Sequence, residues 1–163
     1  MHDAPVTVDR QEGRDESLES IYVEHADRLW RALYAYAGNR EVASDALAEA
    51  FAQYLQRATA VRWPVRWIWR AAFRIAAGEL KERRMENPPL PVNVPAVPQP
   101  TWELLSVLRL LPPRQRAALI LHYYAGYKAR EIADILGSTS ATVRVHLSQG
   151  RKRLRTLLEE DHG

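Results

Sequence analysis

The chain contains no cysteine, which excludes a disulfide framework and any thiolate metal site. No apolar run reaches membrane-spanning length. The first seventeen residues are polar and acidic rather than signal-like, so a cytoplasmic protein is expected. No segment alternates apolar and polar residues in the manner of a strand, and the predicted fold class is all-α. Phosphate-binding glycine loops, HExxH and a serine or cysteine nucleophile set are all missing. His2, His25, His122, His146 and His162 show no metal-ligand spacing. The expectation is a protein that is not an enzyme and uses no metal, cofactor or small-molecule substrate. His25 and His122 fall in helical segments and are expected to be packed or half-exposed.

What is present is charge segregated along the chain. The net charge is only +3, yet residues 1–20 hold six acids and two bases, 62–84 hold seven bases and two acids, and 140–158 hold five bases and no acid. A modest total therefore conceals two basic patches, the electrostatic footprint of a nucleic-acid partner. At 163 residues the chain allows one domain or two small ones.

Residues 129–158 are the most specific stretch. Ile132, Ala133, Ile135 and Leu136 recur at helical spacing, Gly137-Ser138-Thr139-Ser140 interrupts, and Val143, Leu147, Leu154, Leu157 and Leu158 resume. This predicts a helix-turn-helix. Ala133 allows close approach, Gly137 supplies the left-handed turn, Val143 packs the second helix onto the first, and Ser140 is expected to cap it. With Val143, Leu147 and Leu154 inward, a 100° wheel turns Ala141, Val145, Ser148, Gln149 and Lys152 outward, with Thr142 and Arg144 on the flanks. Gln149 could bond adenine, Val145 could touch a thymine methyl, and Arg144 and Arg151 suit phosphate or guanine. With Ser140 and Arg155, these are the candidate DNA contacts. For each, an exposed side chain touching no base is the alternative reading.

Met85 to Pro100 carries six prolines and no periodicity, and is read as a semi-rigid linker. Extended as polyproline II, at about 3.1 Å per residue, it would span roughly 50 Å. That corresponds to roughly fifteen base pairs at about 3.4 Å each, enough for two modules on one duplex. A spacer without geometric role is the alternative. The expected organisation is a disordered tail over 1–16, a helical domain over 17–84, the linker over 85–100 and a helix-turn-helix domain over 101–163.

Three helices are predicted upstream of the linker. The first, Ser17 to Gly38, carries Leu18, Ile21, Tyr22, His25, Leu29, Leu33 and Tyr36 and stops at Gly38-Asn39. The second runs from Arg40 to Arg57 on Ala43, Leu47, Ala50, Phe51 and Tyr54. The third runs from Val65 to Arg84 on Ile68, Ala72, Ile75, Ala76 and Leu80. On the second, Glu41, Asp45 and Glu49 stand four residues apart with Gln53 next, a spacing that costs an isolated helix about 0.2–0.5 kcal/mol per like-charged pair. The face is either solvated or a docking site for a basic protein partner. Around the third helix, Arg62, Trp63, Arg66, Trp67, Trp69, Arg70, Phe73, Arg74, Lys81, Arg83 and Arg84 interleave cations with aromatic rings, the composition of a single-stranded nucleic-acid site. Trp67 and Trp69 are more readily core residues, and Trp63, in the loop after Ala60 and before Pro64, is as readily core as not.

From about Ile21 to Leu158 the chain resembles a sigma factor of bacterial RNA polymerase, of the small two-domain extracytoplasmic-function group in the sigma-70 family. The C-terminal half resembles region 4 through Leu111-Pro112, Arg116, Gly126-Tyr127, Glu131-Ile132-Ala133, Leu136-Gly137, Thr142-Val143-Arg144 and Arg151 to Leu154. The N-terminal half resembles region 2 through Ala43, Asp45, Glu49, Phe51, Trp67-Ile68, Arg70, Ala72 and Arg83-Arg84. The resemblance implies that the acidic helix (Glu41, Asp45, Glu49, Gln53) docks on core polymerase. It implies that the loop and third helix (Arg62, Trp63, Arg66, Trp67, Arg70, Arg74) capture and melt the −10 element, and that the helix-turn-helix binds the −35 element. Anti-sigma factors commonly clamp such proteins. The chain departs from the family pattern at Ser44, Ala46 and Ala48, which thin the acidic run. Arg74 and Gly78 stand where asparagine and aspartate are common, and Gln149 replaces a common arginine. A free helix-turn-helix regulator that never joins polymerase and a protein-binding adaptor are the alternative functions.

Overall fold

The structure, a computed structural model, describes residues 6–57, 60–86 and 99–161. Among these residues there is no strand. Seven α-helices follow in order: α1 (Val6–Ala37), α2 (Arg40–Arg57), α3 (Pro64–Glu86), α4 (Gln99–Leu108), α5 (Pro113–Leu119), α6 (Ala129–Leu136) and α7 (Ser140–Asp161), with a π-helical turn over Ile120–Tyr124 between α5 and α6.

Where α1 ends, Gly38 takes φ 67° and its N–H donates to the Tyr34 carbonyl at 2.7 Å. The left-handed conformation favours glycine, and a Cβ there would meet Arg109 Nε at 2.6 Å. Asn39 then caps α2, its Oδ1 accepting from Val42 N–H at 3.0 Å. The second helix keeps the bounds expected of it, and the third extends slightly past both of its own. The first does not: α1 starts at Val6, so residues 6–16, read as part of a disordered tail, are helical. That stretch has no apolar stripe, and periodicity is the only signal by which the sequence could have announced it.

The N-terminal half is a three-helix unit. α2 turns Ala43, Ala46 and Ala50 inward, each fully buried, and these small side chains let α3 lay Ile68, Trp69, Ala72 and Phe73 close against it. Leu29 and Leu33 of α1 close the third side. Burying a side chain of this size contributes about 1.5–3 kcal/mol relative to leaving it exposed.

In the C-terminal half α5 opens with Pro113 at its first position, where a missing N–H costs nothing. Its Ala117, Ala118 and Leu119 and the π turn's Ile120 and Leu121 bury against α7 and α6. The two halves share one contiguous core, joined chiefly where α6 lies across α3. The linker's central residues, and with them its reach, lie outside the described residues, as do Ala58 and Thr59 of the loop before α3.

Candidate nucleic-acid interface

The turn between α6 and α7 is made by Gly137 at φ 65°, ψ 44°, with Ser138 N–H reaching back to the Ala133 carbonyl at 2.8 Å. This is the left-handed helix stop expected at that glycine. The cap falls one residue earlier than expected. Thr139 Oγ1, not Ser140, accepts from Thr142 N–H at 3.1 Å, and Ser140 is the first residue of α7. Both hydroxyls suit the role; the backbone reaches helical geometry at Ser140, which hands the cap to Thr139.

Val143 is fully buried and Leu147 nearly so, against Ile132, Ala133 and Ile135 of α6. Gly150 meets α5 so closely that a Cβ would lie 3.1 Å from Leu119 Cδ1. With this face inward, Ala141, Thr142, Arg144, Val145, Ser148, Gln149 and Lys152 are exposed and Ser140 is half-buried. Two of the candidate contacts are already engaged. Gln149 Oε1 accepts from Gln115 Nε2 at 3.3 Å, and Arg151 Nη1 donates to the Tyr123 hydroxyl at 3.2 Å. Arg151 and Arg155 also line a groove of about 1050 Å³ that runs between α1 and α7, walled by Trp30, Tyr34, Leu104 and Leu154.

Around α3 the aromatic residues divide. Trp69 is core, 2% exposed, stacked with Phe73 and edge-on to Tyr127 of the C-terminal half. Trp67 is half-buried beside Tyr54. Trp63 is 58% exposed, with the guanidinium carbons of Arg62 and Arg66 each 5.5 Å from its ring. An exposed ring with two cations beside it is an arrangement in which a base can stack on the ring and a phosphate can pair with the cations. Arg70 and Arg74 are exposed on the same helix. Arg66 is also tied elsewhere: Nη1 lies 3.2 Å from Asp134 Oδ2 and Nη2 lies 3.7 Å from Glu131 Oε2, both on α6. Beside this pair the Tyr127 hydroxyl has its pKa pushed up to about 12, first by burial and then by the Glu131 charge.

The acidic face of α2 is exposed at Glu41, Asp45 and Glu49. Gln53 Nε2 donates to Glu49 Oε1 at 3.1 Å, and Arg83 of α3 pairs with Glu41 at 3.2 Å. Two departures in the acidic run have structural reasons. Ala46 is fully buried against the neighbouring helices, where an acid could not go. Ser44 Oγ accepts the Trp30 indole N–H at 3.0 Å. The sequence reading missed Glu79, which brings a further carboxylate to this face from α3. Its pKa is raised, first by burial and then by Asp45. Nothing near it in sequence points to α2; only helix packing brings it beside that helix.

Residues 101–154 match the family model for sigma-70, region 4. The chain is 28% identical over 158 residues to the ECF RNA polymerase sigma factor SigE of Mycolicibacterium smegmatis, covering 87% of this chain and 62% of that protein, so it spans less than two thirds of that relative's length. It is 24% identical to the RNA polymerase sigma factor SigV of Bacillus subtilis, over 88% of this chain and 92% of the relative. Among solved structures, the sigma factor RpoE in complex with the anti-sigma factor NepR from Bartonella quintana has the same fold. Its TM-score is 0.77 at 15% identity, covering 88% of this chain and 98% of that one. CnrH in complex with the cytosolic domain of CnrY gives a TM-score of 0.71 at 17% identity, covering 90% of each chain. The segment that holds the helix-turn-helix matches sigma-70 region 4, and along most of its length the chain is similar to extracytoplasmic-function sigma factors of RNA polymerase and shares the fold of solved sigma factors.

Proposed function

We propose that the chain acts in the cytoplasm as a promoter-specificity subunit: it binds core RNA polymerase, carries it to promoter DNA and starts transcription, itself performing no catalysis. The observation that carries this reading is the exposed basic and polar outer face of α7, Ser140 to Arg155, within the segment that matches sigma-70 region 4. In this reading α7 enters the major groove of the −35 element with Val145, Ser148 and Gln149 toward base edges and Arg144, Arg151, Lys152 and Arg155 toward phosphates. Arg62, Trp63, Arg66, Trp67, Arg70 and Arg74 take the melted −10 strand. Glu41, Asp45, Glu49 and Gln53 dock on core polymerase. The domains divide as 17–84 and 101–163 about the proline-rich linker. An anti-sigma factor is a third partner, and the arginine-rimmed apolar groove between α1 and α7 offers it a seat.

Co-elution with core polymerase followed by run-off transcription tests the proposal. A factor-dependent transcript is the expected result. A DNA shift without core association would make the protein a free helix-turn-helix regulator, and the absence of any salt-dependent DNA shift would make it an adaptor.

A further inference from the structure

Gln149 is exposed on the outer face of α7, yet its amide is not free to turn. Gln115 of α5, 34 residues earlier and half-buried, donates from Nε2 to Gln149 Oε1 at 3.3 Å. Two features bring this pair together and hold it. Gly150, the next residue of α7, is buried against α5, where a Cβ would lie 3.1 Å from Leu119 Cδ1 and 3.4 Å from Gln115 Cβ. The missing side chain lets the two helices approach at the level of the pair. Gln115 Oε1, the other end of the donating amide, is buried and has no hydrogen-bond partner. Turned over, that amide would place two donors where one acceptor is now orphaned, and each unmade hydrogen bond of a buried group costs free energy. The orientation with Nε2 toward Gln149 is therefore the favoured one.

We infer that Gln115 is a positioning residue for base reading: it draws the Gln149 oxygen toward α5 and leaves the Gln149 NH2 as the group presented to DNA. An NH2 donates and cannot accept. In the major groove guanine and thymine each offer a keto oxygen, O6 or O4, whereas adenine and cytosine offer an amino group, N6 or N4, in the corresponding place. A fixed donor therefore selects a keto base on the strand that α7 faces. The bidentate pairing of a free glutamine with adenine needs the side-chain oxygen to accept from N6, and here that oxygen is bonded to Gln115. An arginine at this position would donate from its own rigid fork without help from α5. An amide can lead with either end, so it needs a neighbour to choose between them.

This inference rests on the proposed reading of a base by Gln149, and the test scores the two apart. The full chain, with core polymerase present, selects from a duplex library randomised through the −35 element. Gln149→Ala marks the base position that this residue reads, as the one where preference is lost. At that position the parent is expected to favour guanine or thymine. Gln115→Glu offers only acceptors, so it is expected to turn the Gln149 amide over and shift the preference toward adenine or cytosine by about twofold to tenfold, the worth of one neutral hydrogen bond. Gln115→Ala is expected to lessen discrimination there. Preferences at the other positions should stay as in the parent for both variants, which a general loosening of α5 against α7 would not produce. An unchanged preference at the marked position in both Gln115 variants would overturn the positioning role, as would a parent preference for adenine or cytosine. If Gln149→Ala marks no position, base reading by Gln149 is overturned and the positioning role with it. The wider reading, core binding and promoter-dependent transcription, is scored independently by run-off with the parent chain.

Discussion

Arg116 of α5 lies over the ring of Tyr36 of α1, its guanidinium 5.2 Å from the ring centre, and it is the one buried charged residue among the described residues. Its Nη1 donates to the Arg109 and Leu111 carbonyls at 3.3 and 3.2 Å. Burial lowers its pKa from the ordinary value, but a guanidinium stays protonated at any working pH. Arg116→Ala would leave buried carbonyls without a donor and is expected to cost about 1–3 kcal/mol or more. Arg116→Lys is not expected to rescue it, since a point charge cannot reproduce the planar fork. Urea unfolding midpoints of the two variants check this.

Asp45→Lys/Glu49→Lys is expected to abolish association with core polymerase while leaving the fold intact. Both positions are exposed on α2, where substitutions usually stay within about 0.5 kcal/mol. A pull-down with core, alongside a thermal melt, reads both halves of the statement. Undiminished capture of core would remove the docking assignment.

Trp63→Ala is expected to weaken binding to the −10 strand by about 1–3 kcal/mol, the value of one base stacked on an aromatic ring. A ring 58% exposed contributes little to the core, so stability should hardly change. Permanganate footprinting of the open complex decides the matter; normal melting by the variant would leave Trp63 without a DNA role.

On α7 two variants should separate phosphate contact from base reading. Arg151→Ala is expected to weaken binding to every duplex alike and to lower the salt slope by about one. Gln149→Ala is expected to lose about 1–3 kcal/mol only on the preferred sequence. Because Gln149 also replaces the family's usual arginine, the preferred −35 sequence should differ from the common one. Binding selections with the parent and both variants provide the measurement.

Tyr127 gives a pH dependence of known sign. Its folded pKa is about 12, raised by burial, above an unfolded value of about 10. The unfolded chain therefore releases the proton first. The stability tied to the neutral hydroxyl is present below pH 10 and lost as pH rises toward 12. Absorbance titration of the native protein should show late-ionising tyrosine that is diminished in Tyr127→Phe, where Tyr34 and Tyr36, also pushed up by burial, remain. Complete ionisation of all tyrosines by pH 11 would contradict the burial.

Much of this molecule was legible as a one-dimensional pattern. The bounds of α2, the stop at Gly38-Asn39 and the left-handed Gly137 follow from local chemistry that nearby residues complete by themselves. The outward face of α7 followed from the 3.6-residue period once Val143 and Leu147 were taken as inward. What stayed hidden depends on partners distant in sequence. Nothing near Arg66 in the chain indicates Asp134, and nothing near Glu79 indicates Asp45. Short elements were lost for another reason. α4 and α5 have too few turns for a period to show, and the π turn has no sequence signature of its own.

The π turn places contacts on two sides of the chain at once. Its Ala125 N–H reaches the Ile120 carbonyl at 3.1 Å, five residues back, so the chain holds one residue more than an α-turn would. The surplus residue lets one short segment face two ways: the Tyr123 hydroxyl takes Arg151 of α7, while the Tyr124 carbonyl takes Arg28 of α1. Removing the surplus residue here would return the turn to the regular bonding of an α-helix and take away the insertion that separates Tyr123 from Tyr124. The contacts of Arg151 and Arg28 would then be re-aimed, though none of the residues proposed to touch DNA or polymerase had been altered. The segment behaves as an indexing notch, and its length, more than its composition, is what relatives of this chain would have to preserve.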